Sequence, residues 1–394
     1  MNNYPKIILK KGKEISLKRK HHWVFSGAIA KTADNLENGQ LVSVYSNKQE
    51  FLGIGHYQVG SITVRIISFK DRLIDHNFWE EKIRAAYDMR SKIGLTESQA
   101  TNVYRLVHGE GDQLPGLIID FYNGTAVIQA HSIGMYQHRN DIAEALKLVY
   151  AEGLDAVYDK SAETLSKNQV KAENQFLFGS PKTNLVKEYN SNYEIDWEKG
   201  QKTGFFIDQR ENRNLLGNYS KGKKVLNTFC YSGGFSIAAL QAGAKEVHSV
   251  DISAKAIELT EKNLKLNPNL TGKHESKVAD VVKYIREIEQ DYDVIVLDPP
   301  AFAKNMKARH NAVQAYKRLN AEALKHIKPG GILFTFSCSQ VVDKALFAHT
   351  LTAAAIEVGR NVKILQYLSQ PADHPINIFH TETEYLKGLV LYVE

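Results

Sequence analysis

Long apolar runs and cysteines are both scarce in this chain, and each scarcity excludes a class of protein. No apolar run approaches the roughly 20 residues that a membrane-spanning helix needs, and the basic first 22 residues lack the apolar stretch of a signal peptide. The two cysteines, Cys230 and Cys338, lie too far apart in sequence for a small disulfide scaffold or a metal knuckle. We therefore expect a cytoplasmic protein in a reducing compartment, with no membrane partner and no metal site.

The length and composition indicate a globular protein with more than one domain. At 394 residues the chain exceeds the size at which a single hydrophobic core usually stops growing. Hydrophobic residues make up 43% and charged residues 24%, as is ordinary for soluble globular proteins. We expect two or three domains.

The positive charge is concentrated at the start of the chain. Residues 1–22 contain seven lysines and arginines against Glu14 alone, which equals the net charge of +6 for the whole sequence. A basic end on a neutral body suits contact with the phosphate backbone of a nucleic acid. A solvated terminus explains the same charge equally well, so the segment alone does not identify a partner.

Short apolar runs divide the first part of the chain in two. Residues 1–70 hold the runs LVSVY, FLGIGHY and SITVRIIS between turn signals, which predicts a small β-barrel or sandwich. Residues 72–180 predict a central α/β domain with helices over 77–93 and 138–150. Two of its strands are expected to flank an Asn-Gly turn.

Residues 185–394 change to a regular alternation of strands and helices. Seven predicted strands with helices between them indicate a Rossmann-like domain whose mostly parallel sheet is covered on both faces. In such sheets ligands bind beyond the carboxyl ends of the strands. The residues that follow each strand are therefore the candidates for a site.

A glycine-containing turn and two acidic residues follow the first three of these strands. The turn CYSGGF (230–235) lets a ligand approach the backbone closely, but it lacks the G-x-G-x-x-G pattern of dinucleotide sites. Asp251 ends the second strand and Asp280 the third, where carboxylates suit a ribose and an adenine edge. This combination predicts a nucleoside ligand without a pyrophosphate, unless the two aspartates merely cap helices.

A carboxylate and a thiol follow the fourth and fifth strands. Asp298 precedes two prolines that hold the chain extended, and Cys338 follows the strand FTFS. If the two strands are neighbours, their ends lie roughly 5 Å apart and both groups share one cleft. A thiolate can add to carbon 6 of a pyrimidine and so activate carbon 5, while a carboxylic acid assists at N3. The alternative for Cys338 is a small buried residue, but its place on the ligand side of the sheet favours chemistry.

Several other polar residues are given more ordinary roles. We expect Cys230 to pack beneath the glycine turn and Asp208 to be the N-cap of a helix. Arg210 and Arg213, on that helix, either contact RNA or face solvent. The basic loop 303–310, which contains Lys304 and leaves the mouth of the cleft, is expected to contact RNA.

Six segments carry a resemblance to a known family. The sequence resembles the RlmI family of large-subunit ribosomal RNA cytosine-5 methyltransferases over nearly its whole length. The first and second segments are similar to the opening of that family's RNA-binding PUA domain and to its middle α/β domain, and the others to its catalytic domain: HHWVFSGAIAK (21–31), GEGDQLPGLIIDFY (109–122), GQKTGFFIDQRENR (200–213), NTFCYSGGFS (227–236), DVIVLDPPAFAKN (293–305) and FTFSCSQ (334–340).

The resemblance implies a class I methyltransferase domain over 185–394, a PUA-like domain over 1–70 and a central domain over 72–180. It implies S-adenosylmethionine (SAM) as cofactor, large-subunit ribosomal RNA as partner, and Cys338 as nucleophile with Asp298 beside it. It also implies that the stretch around Gln201 borders the cofactor. With the strand-end residues, the expected SAM-binding set is Gln201, Thr203, Phe205, Phe229, Tyr231, Ser232, Gly233, Gly234, Phe235, Asp251, Ile252, Asp280, Asp298 and Pro299.

The sequence departs from related enzymes at one position that matters. Many RNA cytosine-5 enzymes carry a second cysteine after the proline of the fourth strand, where this chain has Ala301. A sister family that methylates guanine N7 lacks the cysteine after the fifth strand, so the cytosine prediction depends on Cys338. A SAM enzyme for another base, and a non-catalytic RNA-binding assembly factor, stay open alternatives. The oligomeric state, a homodimer included, also stays open.

Overall fold

The computed structural model of the chain describes residues 3–165, 170–303 and 305–394, so Lys304 of the basic loop lies outside the described residues. The chain forms two compact units, each assembled from three separate segments. The first unit contains Met1–Val186, Ile195–Phe205 and Ala372–Thr383, and the second contains Lys187–Glu194, Phe206–Pro371 and Glu384–Glu394. Every helix in the described part is too short or too polar to cross a membrane.

The first unit begins with a six-stranded sheet. Its elements are β1 (Lys6–Leu9), α1 (Ile15–Lys18), β2 (Trp23–Phe25), β3 (Ile29–Thr32), β4 (Leu41–Tyr45), β5 (Phe51–Tyr57) and β6 (Ile62–Ser68). The strand order is β2-β6-β5-β4-β1-β3, and only β1 and β4 pair in parallel. Val44, Val64 and Ile66 are fully buried in its core, because alternate residues of these strands are apolar. The three strands predicted in this region are confirmed.

The first unit continues with a mixed five-stranded sheet and its helices. The elements are α2 (His76–Lys92), β7 (Val103–His108), β8 (Leu117–Tyr122), β9 (Thr125–Ala130), α3 (Ile133–Gln137), α4 (Arg139–Tyr150), β10 (Ala156–Asp159) and β11 (Gln175–Gly179). The strand order is β11-β10-β9-β8-β7. Asn123 and Gly124 join β8 to β9 with φ angles of 44° and 97°, as the predicted tight turn requires.

The two sheets of the first unit share one hydrophobic cluster. Ile54 of β5 and Ile67 of β6 pack in the same cluster as Trp79 of α2, Leu106 of β7 and Ile119 of β8. All five side chains are at most 1% exposed. Removal of residues 1–70 would therefore expose apolar surface of the central part, which makes the predicted boundary near residue 70 a poor place for truncation.

The second unit is built on a seven-stranded sheet. A hairpin of β12 (Leu185–Glu188) and β13 (Ser191–Glu194) precedes this sheet in the chain. The elements that follow are α5 (Arg210–Ser220), β14 (Lys224–Thr228), α6 (Gly234–Gln241), β15 (Glu246–Asp251), α7 (Ala254–Lys265), β16 (Lys273–Val278), α8 (Val281–Glu287), β17 (Val294–Leu297), α9 (Arg309–His326), β18 (Gly331–Ser337), α10 (Lys344–Val358), β19 (Val362–Ser369) and β20 (Lys387–Val393). The order is β16-β15-β14-β17-β18-β20-β19. β20 runs antiparallel to both β18 and β19, and the other described strand pairs of this sheet are parallel.

The sheet confirms the predicted Rossmann-like domain, with one shifted strand. Buried apolar clusters cover both faces, so the central strands read as nearly continuous apolar runs. The third strand was expected over 276–280, but β16 begins at Lys273. This strand lies at the edge of the sheet and is largely polar, so an apolar pattern does not mark where it begins and ends. Its bounds are set instead by its pairing with β15, which runs from Lys273 opposite Glu246 to Val278 opposite Asp251.

Candidate active site

Asp298 and Cys338 follow two neighbouring strands of the second unit. β17 and β18 pair in parallel, with Leu297 opposite Thr335, so the residues beyond them emerge at the same edge of the sheet. Both side chains are half-buried. The predicted neighbourhood of the two strands is confirmed, and it brings a carboxyl group and a thiol to one end of the sheet.

The surroundings of Asp298 favour its protonated form. Burial, followed by the negative charge of Asp208, raises the pKa of this carboxyl to about 7. A hydrogen bond with the side chain of Gln209 and the positive charge of Arg213 partly oppose these effects. Near neutral pH the group is therefore divided between acid and carboxylate, which suits a proton donor.

The thiol of Cys338 is held protonated by its surroundings. Burial, followed by the negative charges of Asp298 and Asp208, raises its pKa to about 12. Lys387 opposes them. A nucleophile in this position needs nearby positive charge before it ionises.

Lys387 is a functional candidate that the sequence did not reveal. It is the first residue of β20 and lies directly opposite Ser337, the last residue of β18. Its buried ammonium donates hydrogen bonds to the carbonyls of Ser339, at 2.8 Å, and Tyr385, at 2.6 Å. Burial lowers the pKa of Lys387 to about 8, although the neighbouring Cys338 acts in the opposite direction. The next helix, α10, begins only at Lys344, so the positive charge beside the thiol is this lysine rather than a helix terminus.

Asp208 is not a helix cap, and that expectation is wrong. It lies within a single 3₁₀ turn, Ile207–Gln209, and the cap position of α5 is Gln209. The Oδ2 atom of Asp208 accepts a 2.6 Å hydrogen bond from the hydroxyl of Tyr385. Its Oδ1 atom is buried and has no hydrogen-bond partner among the described residues. The carboxylate therefore has one anchored and one free oxygen.

Neither expectation for Arg210 and Arg213 is correct, because both side chains are buried. Arg213 forms a double hydrogen bond with Glu188, at 2.6 and 2.7 Å, and donates to the carbonyl of Phe206 at 2.9 Å. A Cβ atom on Gly234 would lie 2.8 Å from the Arg213 side chain. Arg213 thus fixes the segment before α5 against the start of α6, where residues of the predicted cofactor site lie.

The loop between β14 and α6 has a strained backbone that its neighbours hold in place. Phe229, Tyr231 and Gly233 have φ angles of 54°, 47° and 76°, which residues other than glycine rarely adopt. Two α7 side chains secure it, since Thr260 donates to the carbonyl of Tyr231 and Asn263 to that of Ser232. A Cβ on Gly233 would meet Thr260 at 2.7 Å. Such strain persists where a rigid binding loop is useful.

The two acidic residues of the predicted cofactor site differ in their contacts. The half-buried carboxylate of Asp251 accepts from the backbone N–H groups of Tyr231 and Ser253, so it joins the loop to the end of β15. Asp280 is exposed and caps α8 by accepting from the N–H of Lys283. The capping alternative therefore describes Asp280, whereas α7 is capped by Ser253 and not by Asp251.

Most residues of the predicted SAM-binding set belong to the second unit, and three belong to the first. In the second unit Ser232, Phe235 and Pro299 are buried near these strand ends, while Ile252 is 70% exposed. In the first unit Gln201 is exposed and Phe205 buried, and the Thr203 hydroxyl donates to Asp120 at 2.5 Å. A cofactor role for those three stays a prediction.

Cys230 has the structural surroundings expected of it. Its side chain is 6% exposed, and its Sγ atom lies 3.6 Å from the hydroxyl of Thr260. Burial raises its pKa to about 12. The charge of Asp251, which backbone N–H groups hold at the end of β15, acts in the same direction.

One group in the first unit has the composition of a metal site. Ligand atoms of His21, His380 and Glu382 lie within 4.8 Å of one another. However, the Nδ1 atoms of both histidines face backbone N–H donors, from Trp23 at 3.2 Å and from His22 at 3.4 Å. An imidazole that accepts at Nδ1 carries its proton on Nε2, so Nε2 is not free to bind a metal. The geometry favours a hydrogen-bonded group.

Two families of known proteins match successive regions of the chain. A PUA-like domain family matches residues 7–69, and the family described as S-adenosylmethionine-dependent methyltransferase matches residues 105–378. Proteins named Ribosomal RNA large subunit methyltransferase I are 38% identical in Aeromonas hydrophila and 39% in Tolumonas auensis, with 98% of each chain covered.

Two solved structures are similar over almost the whole chain. A protein from Streptococcus mutans assigned as a SAM-dependent methyltransferase superposes with a TM-score of 0.83. Another methyltransferase structure, SMU.776 complexed with SAH, gives a TM-score of 0.84. Each is 25% identical, and each comparison covers 98% of this chain and 99% of the other.

Proposed function

Because this chain belongs to the SAM-dependent methyltransferases, in the family of ribosomal RNA large subunit methyltransferase I, we propose that it methylates carbon 5 of a cytosine in large-subunit ribosomal RNA. The observation that carries the cytosine assignment is the placement of Cys338 and Asp298 after neighbouring strands. A thiol and a carboxylic acid at one sheet edge are the two groups that this reaction needs.

The loop after β14 and the end of β15 fit SAM. Thr260 and Asn263 hold the loop in one conformation at the carboxyl end of β14, and the Asp251 carboxylate is half-buried at the strand end where a ribose binds in such folds. We assign the cofactor to Phe229–Phe235 and Asp251. SAM supplies an electrophilic methyl group, and the residues of the chain hold it beside the thiol.

Cys338 makes carbon 5 reactive. Carbon 5 of cytosine is a weak nucleophile until a thiolate adds to carbon 6 and turns the ring into an enamine-like species. Asp298, partly protonated near pH 7, donates a proton or hydrogen bond to N3 and stabilises that adduct. The raised pKa of Cys338 means that only a small fraction is thiolate, so the Lys387 ammonium is needed to stabilise the anion.

RNA binding is assigned to the basic face of the first unit. Lys11, Lys13 and Arg19 are exposed around the short helix α1, where they are free to contact phosphates. The target cytosine must leave its stack to reach a strand-end site, which costs a few kcal/mol unless the base is already unpaired. The half-buried position of Cys338 beside Asp298 argues against the alternative that its thiol is only structural.

A trapping experiment tests the proposal. Large-subunit RNA transcribed with 5-fluorocytidine should form a stable adduct with Cys338 in the presence of SAM, since fluorine cannot be removed as a proton is. The adduct, mapped by peptide mass spectrometry, should disappear in Cys338→Ser and persist in the matched control Cys230→Ser. On normal RNA, Cys338→Ser should lose turnover and still bind SAM. Methylation by Cys338→Ala, or an adduct at Cys230, would refute the mechanism.

A further inference from the structure

We propose that Asp208 is the base that removes the proton from carbon 5 after methyl transfer, and that Tyr385 positions it. This inference rests on the proposed function and adds the group that completes its cycle. Ala301, which stands where many RNA cytosine-5 enzymes carry a second cysteine, has no group that could assist product release.

The hydrogen bonds of Asp208 leave one oxygen available. Its Oδ2 atom accepts from the Tyr385 hydroxyl at 2.6 Å, which fixes the orientation of the carboxylate. Its Oδ1 atom is buried and has no hydrogen-bond partner among the described residues. A buried acceptor without a partner is costly to stability, so its retention suggests a role in which a partner arrives with the substrate.

A short chain of contacts places Asp208 near the nucleophile. Tyr385 lies two residues before Lys387, and the Lys387 ammonium bonds both to the carbonyl of Tyr385 and to that of Ser339, next to Cys338. The negative charge of Asp208 also acts on the carboxyl of Asp298 and the thiol of Cys338, since it raises the pKa of each. All of these residues belong to the second unit.

The two carboxyl groups have environments suited to opposite tasks. Asp298 is held partly protonated and can act as an acid, whereas Asp208 accepts the Tyr385 hydroxyl at Oδ2 and keeps Oδ1 open to accept a proton. With Asp298 as the acid and Asp208 as the base, neither residue has to change its protonation state between the two steps of one catalytic cycle.

The step can be written with all atoms and electrons assigned. After methyl transfer, carbon 5 bears both the methyl group and its original hydrogen, and carbon 6 is bonded to Sγ of Cys338. Oδ1 of Asp208 takes the proton, and the electron pair of the C–H bond forms the C5=C6 double bond. The C6–Sγ bond breaks, and its pair returns to sulfur as a thiolate beside Lys387. The proton that Asp298 gave to N3 returns to Asp298, and the proton on Asp208 leaves to solvent with product release.

The experiment uses the full chain with SAM and unmodified large-subunit RNA. In Asp208→Asn, methyl transfer should proceed and release should fail, so a covalent adduct that already carries the new methyl group accumulates. Turnover should fall at least about 100-fold, the usual contribution of a general base. Intact-protein mass spectrometry after ribonuclease digestion detects the adduct and its methyl group. Glu211→Gln, an exposed carboxylate on α5, is the matched control and should behave as the unsubstituted protein.

Tyr385→Phe provides a second, milder test. It keeps the ring and removes only the hydroxyl, so it should slow release about tenfold, as loss of one hydrogen bond to a charged group predicts, and show partial accumulation of the same adduct. Rapid turnover by Asp208→Asn would overturn the inference, and so would an inactive, folded variant that binds SAM and RNA without forming the adduct. If the unsubstituted protein forms no adduct with 5-fluorocytidine RNA, the covalent mechanism itself fails, and Asp208 has no adduct to resolve.

Discussion

The ammonium group of Lys387 donates a hydrogen bond to the carbonyl of Ser339, the residue that follows Cys338. Because the ammonium donates a second hydrogen bond to the carbonyl of Tyr385, its position in the protein is fixed. A fixed positive charge beside a buried thiol costs no reorganisation when the thiolate forms. This arrangement makes the lysine part of how the nucleophile is activated.

Replacement of Lys387 by Met should suppress the thiolate of Cys338. Lys387 lowers the pKa of that thiol, so its loss raises the pKa and reduces the thiolate present at any fixed pH. Alkylation of Cys338 by iodoacetamide, measured at pH 7, where Lys387 with its pKa of about 8 is mostly charged, should slow about tenfold in a Cys230→Ser background, which corresponds to one pKa unit. Lys387→Arg should alkylate at nearly the original rate. Equal rates of Cys338 alkylation in Lys387→Met and in the unsubstituted protein would show that Lys387 does not stabilise the thiolate.

The dependence of activity on pH should report Asp298. The active form needs the acid form of Asp298 and the thiolate of Cys338, whose pKa values are about 7 and about 12. Below pH 7, kcat/KM should rise tenfold per pH unit with the thiolate. Between pH 7 and about 8, where Lys387 keeps its charge, it should level off, because further thiolate is offset by loss of the acid. In Asp298→Asn the rise should continue past pH 7. A plateau at the same pH in the variant would assign it to another group.

The same residue should make stability depend on pH. The folded pKa of about 7 lies above the roughly 3.9 of an unfolded aspartate, so the folded state binds more protons between these values. Stability therefore falls as the pH rises through this window. Asp298→Asn removes the penalty and should raise Tm more at pH 8 than at pH 5. An equal change at both values, by calorimetry, would show that the carboxyl carries no such penalty.

Asp251 should contribute strongly to SAM affinity. Loss of a hydrogen bond to a charged group costs roughly 1.5–3 kcal/mol, so Asp251→Ala should weaken SAM binding about 10- to 150-fold by calorimetry. Glu258→Gln, an exposed change on α7, is the control. Because Asp251 also holds the N–H of Tyr231, Tm should be measured for both variants. Unchanged SAM affinity would remove Asp251 from the site.

The basic residues of the first unit should set the salt dependence of RNA binding. The double substitution Lys11→Gln with Arg19→Gln removes two exposed charges and leaves the buried Leu17 of α1 in place. Each lost phosphate contact should reduce the slope of log Kd against log salt by about 0.7 for single-stranded RNA. Exposed Lys265 and Lys273 of the second unit, changed to Gln together, provide the control. An unchanged slope would place the RNA elsewhere.

Local patterns were sufficient to predict much of the fold and the central pair of the site. The apolar runs marked strands whose ends carry Asp251, Asp298 and Cys338, and parallel pairing then placed the last two on one edge. Such predictions succeed because each depends on a periodicity within a few residues and on the general geometry of parallel sheets.

Residues that meet only through long-range pairing could not be predicted in the same way. Lys387 reaches the site because β20 runs antiparallel to β18, and neither the order of the last two strands nor their register is visible in the sequence. Asp208 carries an ordinary capping pattern, and only the structure shows that it lies within a 3₁₀ turn and that its carboxylate bonds to Tyr385, distant in sequence. Arg213 was misjudged because its partner Glu188 lies on a separate hairpin.

The discontinuous make-up of the two units has a consequence for biosynthesis. The segment Ala372–Thr383 completes the first unit, and residues 384–394, which come after it, supply the strand β20 of the second unit. Domains usually fold in turn as they leave the ribosome, but here the first unit lacks its last segment until residue 383 has been made, after most of the second unit. A nascent chain stopped before residue 372 therefore lacks part of both units, so a late frameshift should leave a product for proteolysis rather than one working half.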